Sequence, residues 1–258
     1  MTAQRKPKAP ARAGKPGKAG YERVALIGIG LIGSSIARAV RAGGLARHVA
    51  CWSRRAATRA AARRLKICDS VHDKVAEAVK DADLVVLCAP IGANAELAVA
   101  IKSSLKKGAT VTDVGSVKQA VIRDVGPHIP AGVHFIPGHP VAGTEHSGPE
   151  AGFAELFRQR WCILTPPPGA DPRALKRLAA FWQAMGSRVE IMDPAHHDRV
   201  LAITSHLPHL LAYTIVATVT DLEDHLKQEA KDSGYVIGRS EVVKFSAGGF
   251  RDFTRIAA

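Results

Sequence analysis

The sequence has little of what marks several common classes of protein. Its four cysteines, Cys51, Cys68, Cys88 and Cys162, lack the close pairing of a zinc site or a disulfide framework. No uninterrupted apolar run reaches the roughly 18 residues that a membrane span needs. We therefore expect a soluble, globular protein with free thiols that functions in the reducing cytoplasm. At 258 residues, the chain is long enough for two unequal domains.

The N-terminal segment contains no acidic residue and no long apolar stretch. Residues 1–20 carry six basic side chains of a protein whose net charge is +13, and are otherwise mainly Ala, Pro and Gly. Such a segment cannot bury enough apolar surface to offset its ordering entropy, and it lacks the apolar core of a secretory signal. We predict a disordered basic tail over residues 1–22. The alternative, nucleic-acid binding through this tail, would make affinity depend steeply on salt.

From residue 23 onward, short apolar strands alternate with helices. Residues 24–28 form a continuous apolar run that ends in glycine, as expected of a strand buried on both faces of a parallel sheet. The alternation continues to residue 193 with short connections, which predicts an α/β domain of the Rossmann type with a doubly wound, mostly parallel sheet. Residues 195–226 favour helix and offer no convincing strand, so residues 194–258 are predicted to form a smaller all-helical domain.

A glycine turn follows the first strand and opens a helix. Gly28 permits the tight turn, Gly30 lets the backbone approach a pyrophosphate, and Gly33 allows close packing of helix against strand. The helix N-terminus, with Leu31 and Ile32, offers unpaired N–H groups and a positive dipole to phosphates. The pattern predicts a dinucleotide site. We assign to the same site Ala89 and Pro90, which follow the strand over residues 84–88.

The end of the second strand carries Ser53, Arg54 and Arg55 in the place where an acidic residue would bind the ribose hydroxyls of NAD. A carboxylate would repel a 2′-phosphate, whereas a serine and two guanidiniums can bind it. We therefore expect NADP to be favoured over NAD. The alternative is that both arginines belong to a solvated helix start.

Residue types suited to catalysis occur in three segments at predicted strand ends and at the start of the helical domain. His139, flanked by Gly138 and Pro140, suits a cleft, and its ordinary pKa of roughly 6.5 lets it accept a proton from a hydroxyl. Ser116 could orient that imidazole or the substrate. A hydrogen-bonded loop histidine without a catalytic role is the alternative.

Histidines also invite a metal hypothesis. His206 and His209 stand three residues apart, and His196, His197 and Asp198 lie upstream. No third ligand has a diagnostic spacing, and hydride transfer needs no metal, so we expect none. Phe181 and Trp182 are expected to lie in the core rather than against a cofactor.

Five segments together resemble the prephenate/arogenate (cyclohexadienyl) dehydrogenase family of tyrosine biosynthesis. They occur in the family's order and approximate spacing, and the resemblance runs from about Val24 to the end of the chain. The segments span residues 28–33, 113–118, 138–145, 205–209 and 248–255.

The resemblance implies NAD(P)-dependent oxidative decarboxylation of prephenate or arogenate, with hydride transfer to the nicotinamide. It implies that His139 accepts the hydrogen bond of the ring hydroxyl and that Arg255 holds a substrate carboxylate. It also implies that Ser116 supports His139 near the nicotinamide, so that Ser116 contributes to cofactor binding. It also implies a homodimer in the cytoplasm. The remaining substrate-binding residues that it implies are Thr144, Glu145, His206 and His209.

The chain departs from the family pattern in two places. Family members continue through further helices, so we expect the helical domain to be incomplete at residue 258. Residues 227–238, which are rich in charge and contain Gly234, predict a longer loop than is usual. Two other functions stay open, another hydroxyacid-type dehydrogenase and a non-catalytic NADP-binding remnant of this family. The sequence does not distinguish prephenate from arogenate.

Overall fold

The computed structural model describes residues 20–233 and 248–255, and it divides the chain into two compact units after His197. Each unit is described by itself. The predicted boundary between domains, at residues 193 and 194, lies four residues before this division. The predicted tail lies outside the described residues up to residue 19.

The first unit is built on a six-stranded parallel sheet with the strand order β3-β2-β1-β4-β5-β6. This is the order of a dinucleotide-binding doubly wound fold, as predicted. In its centre, Val24 of β1 lies opposite Val49 of β2 and Leu84 of β4. The strands are β1 (Tyr21–Ile27), β2 (Ala46–Trp52), β3 (Ser70–Val71), β4 (Leu84–Leu87), β5 (Thr110–Asp113) and β6 (His134–Phe135).

Helices connect these strands and cover both faces of the sheet. All four residues of β4 are buried, as expected of a central strand packed on both sides. Short 3-10 turns follow α4 and α5 and precede α4. The helices are α1 (Leu31–Gly43), α2 (Ala56–Leu65), α3 (Val75–Val79), α4 (Asn94–Ile101) and α5 (Lys118–Val125).

A second, three-stranded sheet follows β6. It has the order β7-β8-β9, formed by β7 (Gly138–Pro140), β8 (Trp161–Leu164) and β9 (Arg188–Ile191), with β7 antiparallel to β8. Helix α6 (Pro172–Ala184) lies between β8 and β9 in sequence. It begins at Asp171, whose carboxylate accepts a hydrogen bond from the backbone N–H of Ala174 at 2.7 Å. The sequence predicted β8 and β9 and placed residues 138–140 at the end of a strand, without predicting β7.

An aromatic cluster fills the core of the first unit. Phe181 and Trp182 of α6 are fully buried, as predicted, and the ring of Tyr21 meets that of Phe181 edge-on with centroids 5.4 Å apart. The guanidinium of Arg177 lies 4.0 Å above the Tyr21 ring. These contacts hold Tyr21 in place as the first residue of β1. Residues 21 and 22, which were predicted to belong to the tail, are therefore part of the sheet. The four cysteines are free thiols, as predicted.

The second unit begins at Asp198, within helix α7 (Pro194–Leu201). Its helical segment passes through a π-helical turn over residues 202–206 and continues as α8 (Leu207–Ser233). Pro208 accounts for the change of pitch, because it has no N–H to donate and its ring displaces the carbonyl of residue 204. A further helix is α9 (Gly248–Thr254). Residues 227–233, predicted to be a loop, extend α8, and the rest of that predicted loop lies outside the described residues.

The segment Pro194–Asp232 is long and apolar enough to cross a membrane by length and composition, with a mean hydropathy of 1.5 in its most apolar window. The sequence expectation considered only uninterrupted apolar runs, and this window also contains uncharged Ser, Thr, His and Pro. Only 11% of the window is buried within the chain. A helix that packs against a protein partner has the same composition, so the feature is weak evidence for a membrane.

Candidate functional site

The glycine turn lies at the carboxyl end of β1, where open α/β sheets bind their ligands. Gly28 has φ +107°, and a Cβ there would stand 2.6 Å from the carbonyl carbon of Cys88. A Cβ on Gly33 would stand 2.1 Å from the carbonyl oxygen of Gly28. The first and third glycines are therefore required by the protein's own packing. A Cβ on Gly30 would meet nothing within 4 Å, so the second glycine borders open space.

Helix α1 presents its N-terminus to that open space. No side chain caps the helix at Gly30, and no acidic residue lies in its first turn. The first α-helical hydrogen bond runs from the Ser34 N–H to the Gly30 carbonyl at 2.9 Å, so the N–H groups of Leu31, Ile32 and Gly33 precede it. Uncapped N–H groups, a positive helix dipole and an open glycine fit the pyrophosphate of a dinucleotide.

The turn that follows β2 is held by an arginine from the next helix. Arg59 donates from Nη1 to the carbonyl oxygens of Ser53, at 2.8 Å, and Arg54, at 3.0 Å. The side chains of Arg54 and Arg55 are exposed, and within the described residues no hydrogen bond or ion pair engages them. The structure thus presents two guanidiniums on a fixed backbone at the end of β2. At the end of β4, a Cβ on Gly28 would stand 2.8 Å from the backbone N of Ala89, and Pro90 is exposed.

A buried ion pair links the ends of β5 and β7. Lys118 Nζ lies 2.5 Å from Asp113 Oδ2, and neither side chain is exposed. Both groups also bind the backbone of Gly138: its N–H donates to Asp113 Oδ1 at 3.1 Å, and Lys118 donates to its carbonyl at 2.6 Å. Burial raises the pKa of Asp113, while Lys118 and the N–H groups of Gly115 and Gly138 oppose the rise. The backbone of Gly138, the residue before His139, is thereby held at both its N–H and its carbonyl.

His139 is a buried strand residue rather than a loop residue, since only 8% of its surface is exposed. Its Nδ1 lies 2.9 Å from Nε2 of His197, which is fully buried in α7. The two rings meet edge to face, with centroids 5.1 Å apart. The sequence singled out His197 only for a metal site. A lone helical histidine carries no signal of a partner 58 residues away.

The other site residues predicted in the first unit lie in connecting segments. Ser116 is half-buried in the turn between β5 and α5, two residues before Lys118. Thr144 and Glu145 are exposed in the segment that follows β7. There, the hydroxyl of Thr144 accepts a hydrogen bond from the backbone N–H of His146 at 3.3 Å, and the Glu145 carboxylate lies 3.7 Å from Nε2 of the same histidine.

The second unit carries the remaining three predicted residues. His206 ends the π-helical turn, and its Nε2 is buried with no hydrogen-bond partner among the described residues. His209 Nδ1 lies 2.7 Å from the Ser205 carbonyl, so it must donate there. Arg255 is exposed directly after α9. Throughout residues 20–233 and 248–255, no three His, Cys, Asp or Glu side chains gather as a metal ion would require.

Comparison with known proteins gives consistent matches to both parts of the chain. Residues 36–191 match the family model described as prephenate dehydrogenase, nucleotide-binding domain, and residues 193–258 match prephenate dehydrogenase, dimerization domain. Cyclohexadienyl dehydrogenase of Zymomonas mobilis is 41% identical over 92% of this chain and 77% of its own length. Prephenate dehydrogenase of Bacillus subtilis is 30% identical over 92% of this chain, which spans 61% of that relative.

A solved structure has the same arrangement of elements. The crystal structure of prephenate dehydrogenase from A. aeolicus in complex with hydroxyphenyl propionate and NAD+ superposes with a TM-score of 0.78 at 32% identity. The match covers 92% of this chain and 78% of that one.

Proposed function

Because the chain belongs to the prephenate dehydrogenase family, we propose that it catalyses the NAD(P)-dependent oxidative decarboxylation of prephenate, arogenate or both. The family resemblance drawn from the sequence motifs is confirmed by these matches. The observation that carries the proposed chemistry is the buried imidazole of His139, held at one ring nitrogen by His197 at 2.9 Å.

In the proposed reaction, His139 accepts the proton of the hydroxyl on the substrate ring. A neutral imidazole has one basic nitrogen, which can accept a proton from a hydroxyl. A nicotinamide cofactor bound at the glycine turn would supply the acceptor for the hydride that leaves the carbon bearing the hydroxyl. Loss of carbon dioxide leaves an aromatic ring, so the substrate itself supplies the driving force. The residues of the protein then mainly align the substrate and balance its charges.

The cofactor is a pyridine nucleotide, in keeping with the nucleotide-binding family model and the geometry of the glycine turn. We favour NADP over NAD. The exposed guanidiniums of Arg54 and Arg55 can form charge-assisted hydrogen bonds with a 2′-phosphate, and Ser53 adds a hydroxyl. The hydrogen bonds from Arg59 support this assignment, because they fix the backbone that carries these side chains.

Further residues are assigned to substrate binding. Arg255 has the planar guanidinium that pairs with a carboxylate through two hydrogen bonds. His206 has a buried Nε2 without a described partner, which a polar substrate group would satisfy. Ser116 is assigned to support His139, and the exposed side chains of Thr144 and Glu145 are assigned to the substrate as well.

We further propose that the protein forms a homodimer through the second unit and works in the cytoplasm. Several large apolar side chains of α8 are exposed within the chain, and Leu210 is 63% exposed. Faces of this kind are buried in stable assemblies. The match to a dimerization-domain model supports the same assignment. The other exposed apolar residues in this part of the helix are Leu207, Leu211, Tyr213 and Ile215.

An initial-rate assay that crosses prephenate and arogenate with NAD and NADP tests the proposal. We expect turnover of at least one of the two substrates, faster with NADP, and a large loss of kcat in His139→Asn. Turnover of a short hydroxy acid with neither cyclohexadienyl substrate would indicate another dehydrogenase. Tight nucleotide binding without any turnover would indicate a non-catalytic remnant. Retention of most activity in His139→Asn would refute the assigned base.

A further inference from the structure

The hydrogen bond between His139 and His197 has a direction that matters for the chemistry. Nδ1 of His139 and Nε2 of His197 lie 2.9 Å apart, so one of the two nitrogens carries the hydrogen and the other accepts it. Each neutral imidazole holds a single N–H. The choice of donor at this contact therefore decides which nitrogen of His139 is basic.

We propose that His197 is a positioning residue that holds His139 in the tautomer with hydrogen on Nδ1, and so keeps Nε2 available as the base. This inference rests on the proposed function of His139. If His197 Nε2 is the acceptor, His139 carries its hydrogen on Nδ1, and Nε2 can take the substrate proton. In the opposite arrangement, His139 carries its hydrogen on Nε2 and cannot act as a base there.

Proton transfer strengthens the same contact. When His139 takes the hydroxyl proton, it becomes an imidazolium, and its Nδ1–H then forms a charge-assisted hydrogen bond to His197. Both rings are buried, so water does not weaken this interaction. His197 thus favours the protonated base without being protonated itself. The contact involves Nδ1 of His139, whereas the nitrogen that accepts the substrate proton is Nε2 of the same ring.

The start of α7 gives His197 the rigidity that this role needs. The backbone N–H of His197 donates to the Asp193 carbonyl at 2.9 Å, and the Asp193 carboxylate accepts from the N–H of His196 at 2.9 Å. Asp193 therefore caps the helix, and Pro194 occupies its first position, where it needs no N–H partner. The neighbouring His196 is exposed on the same helix and serves as a matched control.

The kinetic test compares His197→Leu, His197→Gln and His196→Leu with the unmodified protein. His197→Leu should lower kcat by about 10²-fold, within the range that general-base catalysis contributes, while KM changes by less than about threefold. His197→Gln should recover much of kcat, because its side-chain carbonyl can accept the Nδ1–H bond. His196→Leu should match the unmodified protein. An unchanged kcat in His197→Leu, or equal losses in the Leu and Gln variants, would overturn the proposal.

A second measurement tests the positioning role of His197 separately from the proposed reaction. Imidazole 15N NMR of the full chain should place the hydrogen of His139 on Nδ1 in the unmodified protein and in His197→Gln. In His197→Leu, this preference should be lost while the backbone spectrum is retained. Hydrogen on Nε2 of His139 in the unmodified protein would overturn the positioning role even if the enzyme is active. Absence of turnover with the expected tautomer would instead contradict the proposed function.

Discussion

The ammonium of Lys118 lies 2.5 Å from the carboxylate of Asp113, and solvent reaches neither side chain. Each charge balances the other at a position that solvent does not reach. Both groups also form hydrogen bonds with the backbone of Gly138, next to His139. A buried pair of this kind adds little net stability, but removal of one partner leaves an uncompensated charge.

Lys118→Met should therefore lower the free energy of unfolding by about 3–5 kcal/mol, because the Asp113 carboxylate stays buried without its counter-charge. Urea unfolding measures the loss. The double variant Asp113→Asn/Lys118→Met should lose less than the two single variants combined, since it leaves no buried charge. Strictly additive losses would contradict the coupling that the geometry indicates.

Gly33→Ala should lower the stability of the fold, whereas Gly30→Ala should weaken nucleotide binding. The new methyl of Gly33→Ala would stand 2.1 Å from the Gly28 carbonyl, so the turn must shift and the melting temperature should fall. In Gly30→Ala, nothing lies within 4 Å, so the fold should be retained while nucleotide affinity drops. Calorimetry with nucleotide titration distinguishes the two. Full affinity in Gly30→Ala would argue against a pyrophosphate at this position.

The double variant Arg54→Ala/Arg55→Ala should raise the KM for NADP by about tenfold or more and leave the KM for NAD nearly unchanged, because only the 2′-phosphate loses its charged partners. Arg64→Ala is the control, since Arg64 lies on α2, the helix that follows Arg54 and Arg55, and pairs with Glu150 at 2.6 Å. Equal effects on both nucleotides would mean that the arginines do not read the 2′-phosphate.

Leu210→Glu should convert a dimer into monomers, because it places a charge on the exposed apolar face of α8. Sedimentation at several protein concentrations gives the association state. Val99→Glu, at a 49% exposed position on α4, should leave the association state as it is. A Leu210→Glu variant that sediments like the unmodified protein would place the interface elsewhere.

Asp171→Ala should lower the melting temperature at neutral pH by removing the cap of α6. The hydrogen bond from the Ala174 N–H holds the pKa of Asp171 below its ordinary value of 3.8. A depressed carboxyl pKa stabilises the fold above 3.8, and this contribution is lost as pH falls through the depressed value. The difference between the variant and the unmodified protein should therefore shrink in acid. A constant difference down to pH 2 would point to packing rather than charge.

Strands such as β1, β4 and β8 could be predicted from sequence because they are buried on both faces and read as continuous apolar runs. The glycine turn could be predicted as well, since its three glycines lie at a characteristic spacing between a buried strand and a helix. Tyr21 could not be placed, because its partners Phe181 and Arg177 are about 160 residues away in sequence. The hydrogen bonds between Gly138 and the Asp113–Lys118 pair could not be predicted either, because ion pairing in the core depends on the assembled sheet.

Strand β7 likewise depends on a partner that is distant in sequence. Gly138 and Pro140 read as loop residues, yet they form a short strand because β8 offers an antiparallel partner. That pairing buries His139, which was expected to reach into a cleft from the end of a strand. Its partnership with His197 follows from the tertiary fold, which no local pattern encodes.

The π-helical turn over residues 202–206 accommodates one residue more than an α-helix would hold over the same number of turns. An α-helix turns by about 100° per residue, so the same extra residue added to a regular α-helix would rotate everything from Leu207 onward by that angle relative to residues 198–201. The apolar face that carries Leu210 would then point elsewhere, although every side chain on it would be unchanged. The wider turn absorbs that rotation, so the orientation of that face depends on the pitch of residues 202–206 as well as on the side chains that the face carries.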